Sequence, residues 1–134
     1  MEHTWITAPT ITVTAANRPA VLDSSHHRPE FDADSPTALA VLTPVVGPTA
    51  VLILRTLCVV ARTGANTWHL ADIAGMHGVT ITKTRHALTR LHMFGWLTDG
   101  GGGLVEVYLT GHLRESTLAR LHPALVDHYL GSVK

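Results

Sequence analysis

Between Leu70 and Leu109 three sets of glycines divide the hydrophobic pattern into blocks, and this punctuation admits few folds. Leu70-Ala71-Asp72-Ile73-Ala74-Gly75-Met76-His77 has the spacing of a helix of about two turns, and Gly78 permits the tight turn that ends it. Thr80 then offers a hydroxyl to the free N–H groups of a second helix, from Ile81 to about Phe94. Ala87, Leu88, Leu91 and Phe94 share one face of that helix, at about 100° per residue. Gly95 stops it. Trp96-Leu97-Thr98 reads as a strand, Asp99-Gly100-Gly101-Gly102-Gly103 as a hairpin tip, and Leu104 to Leu109 as the returning strand.

Upstream, Thr43-Pro44 is a good N-cap and N1 pair, and Pro48 or Thr49 begins a longer helix that runs to Arg62 and is closed by Gly64. Val51 to Ala61 is apolar around nearly the whole circumference, so this helix must be covered on all sides. In 134 residues the cover has to come from the terminal segments or from a second subunit. A hydrophobic fraction of 46% against 15% charged excludes wholesale disorder. No apolar run reaches the roughly 18 residues of a bilayer span. The opening residues Met1-Glu2-His3-Thr4-Trp5 have no basic stretch and do not read as a secretory signal. One cysteine, Cys58, excludes an intramolecular disulfide. A cytoplasmic protein is expected.

The zero net charge is unevenly distributed. Residues 1–36 carry Glu2, Asp23, Glu30, Asp32 and Asp34 against Arg18 and Arg28. Residues 37–96 carry Arg55, Arg62, Lys83, Arg85 and Arg90 against Asp72 alone, which makes the middle a locally basic unit suited to a polyanion. The division expected is an N-terminal arm over 1–36, partly extended or disordered, a domain over 37–110, and a C-terminal helical segment over 111–134. The arm is rich in Thr, Ala, Pro and Asp, with one alternating stretch, Ile11-Thr12-Val13-Thr14, bracketed by Pro9 and Pro19; it is a candidate surface for a protein partner.

With Asn66-Thr67-Trp68-His69 read as a short extended segment, the order helix, short strand, short helix, turn, longer helix, hairpin is that of a winged helix-turn-helix. Leu70 to Leu97 resembles the corresponding segment of MarR- and ArsR-type bacterial transcriptional regulators. Leu70-Ala71, the Thr80 cap, Leu91 and Gly95-Trp96-Leu97 stand at the matching places. The resemblance implies a mainly α fold with a small β-hairpin (α+β), to which the composition of the flanking segments adds an extended N-terminal arm and C-terminal helices. It also implies a bacterial or phage DNA-binding protein at the nucleoid, a homodimer on double-stranded DNA.

The second helix would lie in the major groove. Thr82, Arg85, His86 and Thr89 are its expected base readers, Lys83 and Arg90 its phosphate contacts, and the N-terminus at Thr80 a further phosphate site. No acid occurs between His77 and Thr98. Protonation of His77, His86 and His92 is expected to tighten DNA binding between about pH 7.5 and 5.5. The hairpin departs from the family habit: residues 97–109 hold Asp99 and Glu106 and no cation. The alternative reading is therefore a winged-helix protein–protein interaction module of a larger complex. Leu121, Leu125, Tyr129 and Leu130 are candidates for a dimer surface or for packing on the helix that runs from Pro48 or Thr49 to Arg62.

Metal binding is not expected. His69 with His77, and His86 with His92, lack the i, i+4 spacing of a helical ligand pair. His26-His27 sit in the arm, while His112, His122 and His128 are spread along the tail. The chain has no P-loop, G-x-S-x-G or H-E-x-x-H, and its acids are dispersed, so neither catalytic residues nor a cofactor are expected.

Overall fold

The computed structural model describes residues 3–20 and 30–131. The chain runs α1 (Thr4–Thr7), β1 (Thr10–Ala15), β2 (Phe31–Asp32), α2 (Pro36–Val46), α3 (Pro48–Ala61), β3 (Asn66–His69), α4 (Leu70–Met76), α5 (Ile81–Met93), β4 (Leu97–Gly101), β5 (Leu104–Val107), β6 (Thr110–Gly111), α6 (Glu115–Leu118) and α7 (Pro123–Gly131). It is an α+β fold. A mixed four-stranded sheet has the order β3-β1-β5-β4, and β2 pairs with β6 in a second, two-stranded sheet. Among the described residues no helix is long and apolar enough to cross a membrane.

The hairpin forms where the glycines place it, with Leu97 opposite Val107 and Thr98 opposite Glu106. β1 is the departure from expectation. Rather than belonging to a separate arm, it is an inner strand, antiparallel to β3 and parallel to β5. Its alternation explains this: Ile11 and Val13 are buried in the core, while Thr10, Thr12 and Thr14 take the other face. Pro9 and Pro19 lie beyond the strand ends, so neither removes a ladder donor. Trp5, Ala20, Phe31 and Ala33 join the same core as α3 and α5, so packing does not divide the chain at residue 36.

A second correction concerns α2. It starts at Ser35-Pro36, not at Thr43-Pro44; the Ser35 hydroxyl accepts from Ala38 N–H at 3.1 Å. Pro44 is carried inside the helix on its exposed side, and the Thr43 hydroxyl donates to the Leu39 carbonyl. The two pairs have the same capping chemistry, and only the burial of Ala38, Val41 and Leu42 from the earlier start distinguishes them. Gly47, at φ 91°, ends α2 and begins α3.

The cover for α3 comes from within the chain, with β1 the main contribution of the terminal segments. β1 and β5 lie against it on one side and α2 and α5 on others, leaving Leu52 and Val59 as its exposed large apolar groups. Tyr129 of α7 is fully buried, edge-on to Phe31, and its hydroxyl accepts from Leu113 N–H at 3.2 Å. Leu121 is also buried. Both are thus committed to intramolecular packing, and the side chain of Leu130 lies outside the described residues.

Candidate nucleic-acid interface

α4 ends at His77, and Gly78 takes φ 66°, a region that costs glycine nothing. Val79 N–H returns to the Ala74 carbonyl at 3.0 Å, which turns the chain into α5. The Thr80 hydroxyl accepts from Lys83 N–H at 3.1 Å and so caps α5 as expected, while its carbonyl accepts from the buried Thr84 hydroxyl at 3.1 Å. Thr84, Ala87, Leu88 and Leu91 anchor the helix in the core. Its remaining residues fall into three stripes with different surroundings.

The first stripe is Arg85, Thr89 and His92, and α1 lies across it. Arg85 Nε donates to the Trp5 carbonyl at 3.0 Å, and its Nη2 approaches the Ala8 carbonyl at 3.5 Å. Trp5 is fully buried, and its Nε1 donates to Thr89 Oγ1 at 3.0 Å. The His3 ring stacks on Trp5 at 4.7 Å and meets the His92 ring at 4.3 Å. α1 is tied equally to the hairpin: Thr4 N–H and hydroxyl donate to the two Asp99 oxygens at 2.9 and 3.1 Å. Burial acts to raise the Asp99 carboxyl, but donation from Thr4 and Gly101 N–H groups and the Thr4 hydroxyl, with His3 nearby, holds it below its ordinary value. The groove between α5 and the hairpin is filled by the chain itself.

The second stripe is Lys83, His86 and Arg90. It faces the junction of α2 and α3 across a cleft of about 240 Å³ lined also by Val46, Gly47, Pro48, Thr49, Ala50 and Ala87, with no acid. The N-cap Gly47 has no side chain to offer the first turn of α3, and Pro48 has no N–H. Thr49 and Ala50 N–H groups therefore precede the first intrahelical bond, Val51 N–H to the Gly47 carbonyl at 3.1 Å, at the positive end of the α3 dipole. Arg90 spans the junction: Nε donates to the Val46 carbonyl at 3.0 Å, Nη2 to the Val45 carbonyl at 2.7 Å, and the guanidinium lies over the Phe94 ring. This closes the negative end of α2 with a cation.

The third stripe is the crest, Thr82, His86 and Met93. All three are exposed, Met93 at 61%. Of the seven residues expected at an interface, Thr82, Lys83 and His86 are open and Thr80 is engaged as the cap. Arg85 and Thr89 are held under α1, and Arg90 is exposed but bonded to α2. The covered pair are expected base readers, and the bonds to Trp5 turn both inward.

The histidines do not converge. His77 bonds the Ile73 carbonyl at 2.7 Å and the Thr56 hydroxyl at 2.8 Å, and His92 lies under α1, which leaves His86 on the crest. Among the described residues no group of three histidines, cysteines or carboxylates is placed to hold a metal; His26, His27 and the side chain of His128 lie outside them. Cys58 is fully buried, and burial pushes its thiol up to about 12, the behaviour of a core residue.

Two partners of α5 escaped the sequence reading. Trp5 is the one large aromatic before Phe31, and that isolation in a polar segment was the available signal. The α3 N-terminus gave none, because its approach to Lys83 depends on how α2 and α3 pack. Comparison with protein-family models, with curated proteins and with solved structures finds no match to this chain.

Proposed function

We propose that the chain is a DNA-binding transcriptional regulator of winged helix-turn-helix form, which reads duplex DNA with α5. The observation that supports this most is the stripe Lys83, His86 and Arg90 facing the free amides of α3 across a cleft without an acid. A phosphate seated there meets cations on one wall and N–H donors on the other. With that phosphate fixed, the crest residues Thr82 and His86 enter the major groove and meet base edges. Lys83 is the phosphate contact, and Arg90 contributes its charge while its donors hold α2. Arg85 and Thr89 act as positioning residues that dock α1, and the hairpin, which carries two acids and no cation, stays out of the minor groove. As a homodimer, the protein would place two such helices on half-sites about one helical turn apart.

A mobility-shift titration against a mixed-sequence duplex, between about 50 and 200 mM salt, tests this. Affinity is expected to fall steeply with salt, and Lys83→Gln to weaken binding and lower the logarithmic salt slope by about 1. Absence of binding at the low-salt end, or binding indifferent to salt, overturns the proposal.

One observation favours the second reading, a protein–protein interaction module. Asp99 and Glu106 leave the hairpin acidic, and α1 fills its groove with α5. In that case Met93 and the crest would bind a protein surface, and the same titration would show no complex with DNA.

A further inference from the structure

On the far side of Arg90, α2, the end of α5 and the segment around α6 enclose a cavity of about 410 Å³. Arg90, Arg114 and Arg120 line it, its apolar lining includes Phe94, Leu121 and Leu125, and no described carboxylate reaches it. Arg114 Nη2 donates to the Met93 carbonyl at 3.2 Å, but its Nε is buried and bonds nothing among the described residues. A buried donor without a partner, beside two further guanidinium groups, is an expensive arrangement unless an anion completes it. The volume lies in the range of small-molecule sites, roughly 300–1,000 Å³, and is far too confined for a duplex.

We infer that this cavity binds a small organic monocarboxylate with a compact apolar body. Arg90 and Arg114 each commit some of their donors to main-chain carbonyls; Arg114 Nε is the buried donor left unsatisfied, and together with the fork of the exposed Arg120 it suffices for one carboxylate. The body of the ligand packs on Phe94, Leu121 and Leu125. None of this depends on the DNA reading, and Arg90, which lines both the cavity and the α3 cleft, is left unaltered in the test.

Titration calorimetry on the full chain with hexanoate, benzoate and the neutral hexanamide examines it. At least one carboxylate is expected to saturate a single site, with hexanamide at least tenfold weaker. Arg120→Gln, a change at an exposed position, should weaken carboxylate binding at least fivefold; Arg114→Lys, which keeps the charge but removes Nε, should do the same; Lys83→Gln should change nothing. Saturation by neither carboxylate, equal binding of hexanamide, or binding that survives Arg120→Gln overturns the inference.

Discussion

The indole Nε1 of Trp5 donates to Thr89 Oγ1 at 3.0 Å across 84 positions of sequence, and this bond ties α1 over one stripe of α5. With Arg85 Nε on the Trp5 carbonyl, it makes α1 part of the α5 surface. The open residues are then those on the crest and on the α3 side.

Replacement of Trp5 should therefore act through stability as well as through the interface. Trp5→Ala empties a fully buried site and should cost about 3–5 kcal/mol. Trp5→Phe keeps most of the apolar volume, loses the bond to Thr89, and should cost about 1 kcal/mol from that bond plus whatever the smaller ring leaves unfilled. Urea unfolding measures both. A Trp5→Ala midpoint equal to that of the parent would mean that α1 is not docked.

How far the sequence could be read depended on whether an element's partners were local. The α4–Gly78–Thr80–α5 turn and the hairpin are fixed by residues a few positions apart, and both formed as expected. β1 carries the right alternation in Ile11 and Val13, but its partners are β3 and β5, more than fifty residues away, and short-range spacing cannot select them. The site divided the same way. The Thr80 cap was legible, whereas the fates of Arg85 and Arg90 depended on carbonyls of Trp5, Ala8, Val45 and Val46, and that of Thr89 on the Trp5 indole, partners that acquire meaning only after packing.

Acid should loosen the fold through two carboxylates. The Arg62 guanidinium bonded to Asp34 holds that carboxyl below its ordinary value, and for Asp99 the donors on Thr4 and Gly101 outweigh burial to the same effect. In each case the unfolded chain takes up a proton more readily than the folded one. Their contribution is therefore complete above the ordinary carboxyl range near pH 4 and is lost as the pH falls through the lower, folded values. Thermal melts of Asp99→Asn should show a lower midpoint at pH 7 and a shallower fall from pH 5 to pH 2 than the parent. Parallel curves would contradict this role.

Gly111 of β6 packs closely against Ala20 and the Trp96 ring. A Cβ there would stand 2.7 Å from Ala20 Cβ and 2.8 Å from Trp96 Cη2. Gly111→Ala should cost about 1–3 kcal/mol by forcing these apart. Adding Ala20→Gly should recover part of that loss, since it removes the nearer of the two obstacles. Chemical denaturation of the single and double variants gives the comparison, and a harmless Gly111→Ala would mean that β6 can shift outward freely.

The most direct measurement is a backbone amide NMR titration of the protein with duplex DNA at low salt. The account predicts the largest shifts at Thr80, Thr82, Lys83 and His86 and at the Thr49 and Ala50 amides, with Gly100–Gly103 of the hairpin little affected. Shifts centred on the hairpin, or none in the first turns of α5 and α3, would contradict it.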